Sequence, residues 1–191
     1  MSTGNEKNRG YYKIKGASRT FNFDSNFKDK IVLDIGSSTG GFTEYALEQG
    51  AKKVIAVEKG TNQMKSPLRG DPRIELHEKT DIFGFTCSPD VVLADVSFIS
   101  LTKVLKYAKM NLSRSDTDFL VMLKPQFEAA DKDLNNGIIK NETIRRDIIK
   151  RFEQWLKSND FIIIKKIDNV LHGKHGNIER FYWLKLAINH V

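Results

Sequence analysis

Residues 34–43, Asp34-Ile35-Gly36-Ser37-Ser38-Thr39-Gly40-Gly41-Phe42-Thr43, form a glycine-rich turn between an apolar run and a helical pattern. The run before the turn, Lys30–Asp34 (KIVLD), reads as a buried parallel strand ending in an acid. The pattern after it reads as a helix through Glu44–Gln49, stopped by Gly50. A helix start of this kind offers unpaired N–H groups and a partial positive charge. Gly36 lets the chain turn sharply, and Gly40 and Gly41 are expected to clear room for a ligand at the helix start. A dinucleotide site would show the spacing G-x-G-x-x-G. Here the spacing is D-x-G-x-x-x-G-G, so the turn is wider and a carboxylate stands at its base.

Working outward, strand and helix patterns alternate. Val54–Glu58 (VIAVE), a weaker Arg73–His77, Val91–Asp95 (VVLAD) and Phe119–Lys124 (FLVMLK) read as strands, with a helix over Leu101–Asn111. Asn141–Ser158 reads as an amphipathic helix capped by Asn141. Ile144, Ile148, Phe152 and Trp155 are expected on its packed side, and Arg145, Arg146, Lys150 and Arg151 on the other. Phe161–Ile167 and Arg180–Leu186 then read as an antiparallel pair. The expectation is an α/β fold: a mostly parallel sheet with a terminal antiparallel hairpin and helices on both faces. Residues 1–10 are expected to fray, leaving one domain over 11–191; residues 11–29 show no clean period.

In such sheets ligands bind at the carboxyl ends of the strands. Three strands here end in Asp34, Glu58 and Asp95, and a fourth in Lys124. A carboxylate at the base of the turn suits a cationic ligand better than a pyrophosphate, and S-adenosylmethionine carries an ammonium and a sulfonium. On this reading Glu58 accepts the ribose hydroxyls, Asp81 accepts from the adenine amino group, and the helix start holds the methionine carboxylate. The candidate cofactor residues are Asp34, Gly36, Ser37, Ser38, Gly40, Gly41, Phe42, Glu58, Lys59, Asp81, Ile82 and Asp95, with S-adenosylhomocysteine as product. A purely structural role for these glycines is the bland rival.

The 191 residues carry a net charge of +7, with 31 Lys and Arg against 24 Asp and Glu. The surplus lies at the ends: residues 1–30 have seven basic against three acidic residues, and residues 140–191 have eleven against six. Such a rim attracts polyanions, nucleic acid above all. One cysteine, Cys87, excludes an internal disulfide framework and a cysteine-rich zinc site, and points to a reducing cytoplasm. No apolar run approaches membrane-spanning length. His77, His172, His175 and His190 show no metal-ligand spacing, so no metal is expected.

The segments KDKIVLDIGSSTGGFTEYALEQGAKKVIAVEKG, ADVSFISLTKVL, MLKPQFEA and HGNIERF carry a specific resemblance. From about Arg9 to Leu186 the chain resembles the TlyA-type, hemolysin-like branch of the FtsJ-like RNA 2′-O-methyltransferases. The resemblance implies a Rossmann-like class I methyltransferase sheet of seven strands and an RNA substrate, ribosomal RNA foremost. It implies a Lys-Asp-Lys-Glu tetrad, which falls on Lys13, Asp95, Lys124 and Glu179, with Lys15 a competing register for the first lysine. The chain departs from that pattern at the unhelical GASRTFNF (16–23) and at GKHGNIE. Full-length members commonly carry a small N-terminal RNA-binding domain, which the resembling stretch does not include. The implied protein acts on RNA or a ribosomal subunit, with no membrane, as a monomer or weak dimer.

A lysine is protonated at neutral pH, so one acting as base needs help from a second lysine or from burial. Lys124 is expected to activate the hydroxyl, beside Asp95, with Glu179 and Lys13 closing the ring. Tyr11, Tyr12, Lys13, Lys15, Arg19 and Phe21 form either an RNA-stacking surface or part of the core, and Phe127 is placed to flank a target nucleotide. Two rival readings remain: a methyltransferase acting on something other than RNA, and a non-catalytic RNA-binding module that keeps the fold.

Overall fold

A computed structural model describes residues 7–171 and 176–187. His172, His175 and His190 lie outside the described residues. The chain runs α1 (Arg9–Phe21), β1 (Ile31–Ile35), α2 (Gly41–Glu48), β2 (Lys53–Val57), β3 (Ile74–His77), β4 (Val91–Ala94), α3 (Leu101–Asn111) and β5 (Asp118–Leu123). A small ribbon, β6 (Leu134–Asn135) and β7 (Ile138–Ile139), precedes α4 (Glu142–Ser158), β8 (Phe161–Asp168) and β9 (Arg180–Leu186).

Seven strands form one sheet in the order β3-β2-β1-β4-β5-β9-β8. The first five are parallel. Strand β9 enters antiparallel between β5 and β8, so the expected terminal hairpin is present. The two-residue side-chain period sorts the strands into two cores. Leu33, Ile35, Val92, Ala94, Phe119 and Val121 face α3 and α4. Val32, Val91, Leu93, Leu120 and Met122 face α1 and α2. Helices therefore cover both faces, as buried parallel strands require.

Helix α1 corrects the expectation of an unpatterned, unhelical stretch. Asn8 caps it, its side chain accepting from Tyr11 N at 3.0 Å, and the helix runs to Phe21. Tyr11, Ile14, Ala17 and Phe21 bury one face of it. Gly16 costs an isolated helix about 1 kcal/mol relative to alanine, but packing outweighs that. The aromatic and basic stretch is therefore divided: Tyr11 and Phe21 are core, while Tyr12 is exposed.

A second correction concerns α4. Arg145 is buried, donating to the Ile178 carbonyl at 3.2 Å and to Asp168 at 2.6 Å. Its guanidinium ties α4 to the segment leading into β9 instead of lying in solvent. Asn141 caps the helix as expected, accepting from Ile144 N at 3.0 Å. Among the described residues no helix is long and apolar enough to cross a membrane.

Candidate active site

The turn after β1 is shaped by close approach. Gly36 has φ +80°, and a Cβ there would lie 2.8 Å from the Asp95 carbonyl oxygen. The turn and the tip of β4 therefore share a wall. Gly40 and Gly41 have a different use from the one expected. A Cβ on Gly41 would meet Asn8 Oδ1 at 2.1 Å and Tyr11 N at 2.6 Å, so the missing side chain admits α1. A Cβ on Gly40 would meet Leu68 Cδ1 at 2.8 Å. Both glycines clear room for protein.

Asp34 is fully buried, facing α2. Its Oδ2 accepts from Thr43 Oγ1 at 2.6 Å, while Oδ1 has no partner. Burial pushes its carboxyl up to about 7, with the negative charges of Asp95 and Glu58 adding to the rise and the Thr43 hydrogen bonds opposing it. Ser37 Oγ is a second buried polar atom without a partner. Helix α2 starts at Gly40 with no side-chain cap, so its first N–H groups are not satisfied by a cap residue.

Glu58 lies at the tip of β2 against the same turn. Its Oε2 accepts from Ser38 N at 2.9 Å and its Oε1 from Gly60 N at 2.6 Å. Thr80 N donates to the Glu58 carbonyl at 3.0 Å, which brings Asp81 beside the β2 tip. Asp81 pairs with Lys59 at 3.0 Å, and that hydrogen bond holds its carboxyl below the usual range. The side chains of Phe42 and Ile82 belong to the cores, so contact with a ligand there falls to backbone.

Across the shared wall stand two ion pairs. Lys124 Nζ lies 2.6 Å from Asp95 Oδ1, outside hydrogen-bonding alignment, and donates instead to Ser97 Oγ at 2.8 Å. Lys13 Nζ donates to Glu179 Oε2 at 2.5 Å. Both members of the second pair are buried, Lys13 at 8% exposure and Glu179 at 3%. Topology explains the meeting. Strand β9 is antiparallel to β5 with Leu123 opposite Arg180, so the next step of the ladder sets Lys124 against Glu179. Asp95 follows the parallel neighbour β4, and α1 supplies Lys13. Lys13, not Lys15, meets Glu179; Lys15 turns over the Tyr11 ring, 5.5 Å from its centroid.

Several site residues were not apparent in the sequence. Ser97 holds Lys124. Asn169, buried, donates to Glu179 Oε2 at 3.3 Å, and its backbone N–H donates to the Glu179 carbonyl at 2.8 Å. Asn177 joins the β6–β7 ribbon to the approach of β9, accepting from Ile139 N and donating to the Gly137 carbonyl. Glu128 takes Ser100 Oγ and Leu101 N, each at 2.6 Å, so Ser100 and Glu128 cap α3 and Asp95 is left to the site. Phe98 is 91% exposed with φ +63°, its ring 5.2 Å from that of Phe127. Only Phe127 carried a signal, through its place after Lys124.

Comparison with known proteins gives the chain's family and fold. The chain is 36% identical over 178 residues to YqxC of Bacillus subtilis, covering 90% of this chain and 62% of that protein. It is 33% identical over 183 residues to the 16S/23S rRNA (cytidine-2′-O)-methyltransferase TlyA of Mycobacterium tuberculosis, covering 93% of this chain and 67% of that one. A solved protein from Streptococcus thermophilus, named a hemolysin, superposes with a TM-score of 0.89 at 32% identity, over 97% of this chain and 69% of that one. The chain thus spans about two thirds of the length of these relatives. A solved protein from Listeria monocytogenes, named an S-adenosylmethionine dependent methyltransferase, shares the fold with a TM-score of 0.64 at 20% identity, over 92% of this chain and 100% of that one. Residues 7–186 match the description FtsJ-like methyltransferase, and the chain belongs to that family.

Proposed function

We propose that this chain transfers a methyl group from S-adenosylmethionine to a ribose 2′-hydroxyl of RNA, with ribosomal RNA the substrate class, in the cytoplasm. The observation that carries the reading is the shared wall: Gly36 of the turn lies against the Asp95 carbonyl, and Asp95 is paired with Lys124. A nucleoside held at the turn would present its far end to that lysine.

The turn suits the cofactor by its unsatisfied groups. Asp34 Oδ1 and Ser37 Oγ are buried acceptors without donors, and a cationic amine supplies donors. The uncapped start of α2 suits a carboxylate. Glu58 and Asp81, on adjacent strand tips, suit ribose hydroxyls and an adenine amino group. S-adenosylmethionine, when bound, supplies an electrophilic methyl carbon on sulfur.

The chain's own groups must hold the hydroxyl in line with that carbon, about 3–3.5 Å away, and take its proton. Lys124 Nζ is the proposed acceptor. Ser97 and Asp95 fix its position. Each lysine faces its own carboxylate, so the repulsion between two lysines expected from the sequence is muted. Docking of substrate over Lys124 would exclude water and set the hydroxyl against Nζ. Glu179 and Asn169 hold Lys13 at the back of the site. Phe98, exposed, and Phe127, half-buried, offer aromatic faces near Lys124, suited to stacking on an unpaired base.

The test is transfer of labelled methyl to ribosomal RNA, with free nucleosides and a protein extract as alternative acceptors. The expected product is an alkali-resistant 2′-O-methylated dinucleotide. Label found only in protein, or in RNA bases, would overturn the reading.

A further inference from the structure

At the β2 tip three polar groups meet, and one of them has no part in the site as described so far. Gln63 Oε1 accepts from Ser38 Oγ at 2.8 Å, and Gln63 Nε2 donates to Glu58 Oε1 at 3.3 Å. The reverse orientation of the amide would set its oxygen against a carboxylate oxygen, so chemistry fixes which end faces Glu58. The backbone is held too. Gln63 N donates to Glu78 Oε1 at 3.0 Å, and the next residue, Met64, is buried with its carbonyl accepting from Arg69 Nε at 2.8 Å. Gly60 completes the arrangement, since a Cβ there would lie 2.0 Å from Gln63 Nε2.

A count of donors and acceptors shows what this cluster can take. A carboxylate offers about four acceptor positions. Among the described residues three on Glu58 are used, by Ser38 N, Gly60 N and Gln63 Nε2. One position remains, on Oε2. A ribose presents two neighbouring hydroxyls, so Glu58 alone satisfies one. Gln63 keeps one N–H and one lone pair beyond its bonds to Glu58 and Ser38.

We propose that Gln63 is a further cofactor-binding residue, taking one ribose hydroxyl of the S-adenosyl group while Glu58 takes the other. The inference rests on the cofactor reading above and adds a residue to it. Gly60 serves it by leaving the amide its space.

Calorimetry of the full chain with S-adenosylhomocysteine tests it. Gln63→Ala should weaken binding about five- to tenfold, the range for one lost neutral hydrogen bond. Gly60→Ala, whose new Cβ displaces the amide, should weaken binding similarly. Together the two changes should cost little more than either alone, because both remove one interaction. Of the 2′-deoxy and 3′-deoxy analogues, one should bind wild type and Gln63→Ala alike. Equal or tighter binding of S-adenosylhomocysteine by Gln63→Ala, or the full loss persisting with both analogues, would overturn the proposal and leave the cofactor reading standing. Failure of the wild-type chain to bind would sink both.

Discussion

The turn after β1 and the meeting point of β4, β5 and β9 share a wall yet treat burial in opposite ways. At the turn, buried acceptors wait without donors: Asp34 Oδ1 and Ser37 Oγ. At the meeting point the charges stand paired within the chain, Lys124 with Asp95 and Lys13 with Glu179. An unpaired buried polar group is costly, and a buried charge more so. The turn therefore carries a debt that a ligand can settle, whereas at the meeting point the charges answer one another, and Asp95 Oδ1, though without a hydrogen bond, faces the Lys124 ammonium. Changes at the meeting point should strike the chemical step or the fold. Changes at the turn should strike cofactor affinity.

The sharpest test of that division is Lys124→Met. If Lys124 takes the proton, the single-turnover transfer rate should fall about 10²–10⁴-fold. S-adenosylhomocysteine affinity by calorimetry should stay within about twofold, since the residue lies on the other side of the wall. A variant that transfers methyl at the wild-type rate would remove Lys124 as the base. A large loss of cofactor affinity would erase the contrast between the two regions.

Next in size is the buried pair. Glu179→Ala leaves the Lys13 ammonium without its carboxylate, and breaking such a pair costs about 3–5 kcal/mol. Urea denaturation should show that loss. The double variant Lys13→Met with Glu179→Leu should recover most of it, because apolar replacement of both partners is often neutral. No recovery would mean that Glu179 is held mainly for its bonds to Asn169.

The two regions were unequally legible in the sequence, for a physical reason. Strand tips announce themselves: an apolar run ending in a charged residue marked Asp34, Glu58, Asp95 and Lys124, and the sheet gathers those tips along one edge. Register is not written locally. That Lys124 faces Glu179 follows from the antiparallel entry of β9 beside β5, a long-range pairing. Helix α1 was hidden because Gly10, Gly16 and Ser18 dilute its propensity, although Tyr11, Ile14, Ala17 and Phe21 already carried the helical period. The β6–β7 ribbon does carry a local signal: Asn136 and Gly137 both take positive φ between Leu134-Asn135 and Ile138-Ile139, the usual short hairpin turn. Ser97, Asn169 and Gln63 had none, since a lone polar residue in a loop acquires meaning only from what folds beside it.

At the turn, Asp34→Asn replaces a buried carboxyl by a neutral group of the same shape. Stability should hold or rise, while affinity for S-adenosylmethionine should fall about 10–100-fold, the worth of a charge-assisted hydrogen bond. Unfolding and calorimetry on the same preparation check both halves. A stability loss with unchanged affinity would make Asp34 a structural anchor for α2 through Thr43.

The finest test is pH. The Asp34 carboxyl is raised from 3.8 to about 7 in the folded chain, burial being the main cause. The folded state thus holds this proton after the unfolded chain has released it. Its contribution to stability is fully present below about 4 and is lost as pH climbs to about 7. Cofactor binding runs the other way. A cationic ligand beside Asp34 favours the carboxylate, so affinity should rise with pH and level off above about 7, with proton release on binding below that point. Calorimetry in buffers of different ionisation enthalpy measures the released proton. Thr43→Val then sharpens the assignment. Losing the hydroxyl that stabilises the carboxylate should move the midpoint upward by about one unit or less, with proton release shifted in step. A midpoint that ignores Thr43 would mean that another group near the turn titrates, and that the unpaired oxygen of Asp34 is not what the ligand meets.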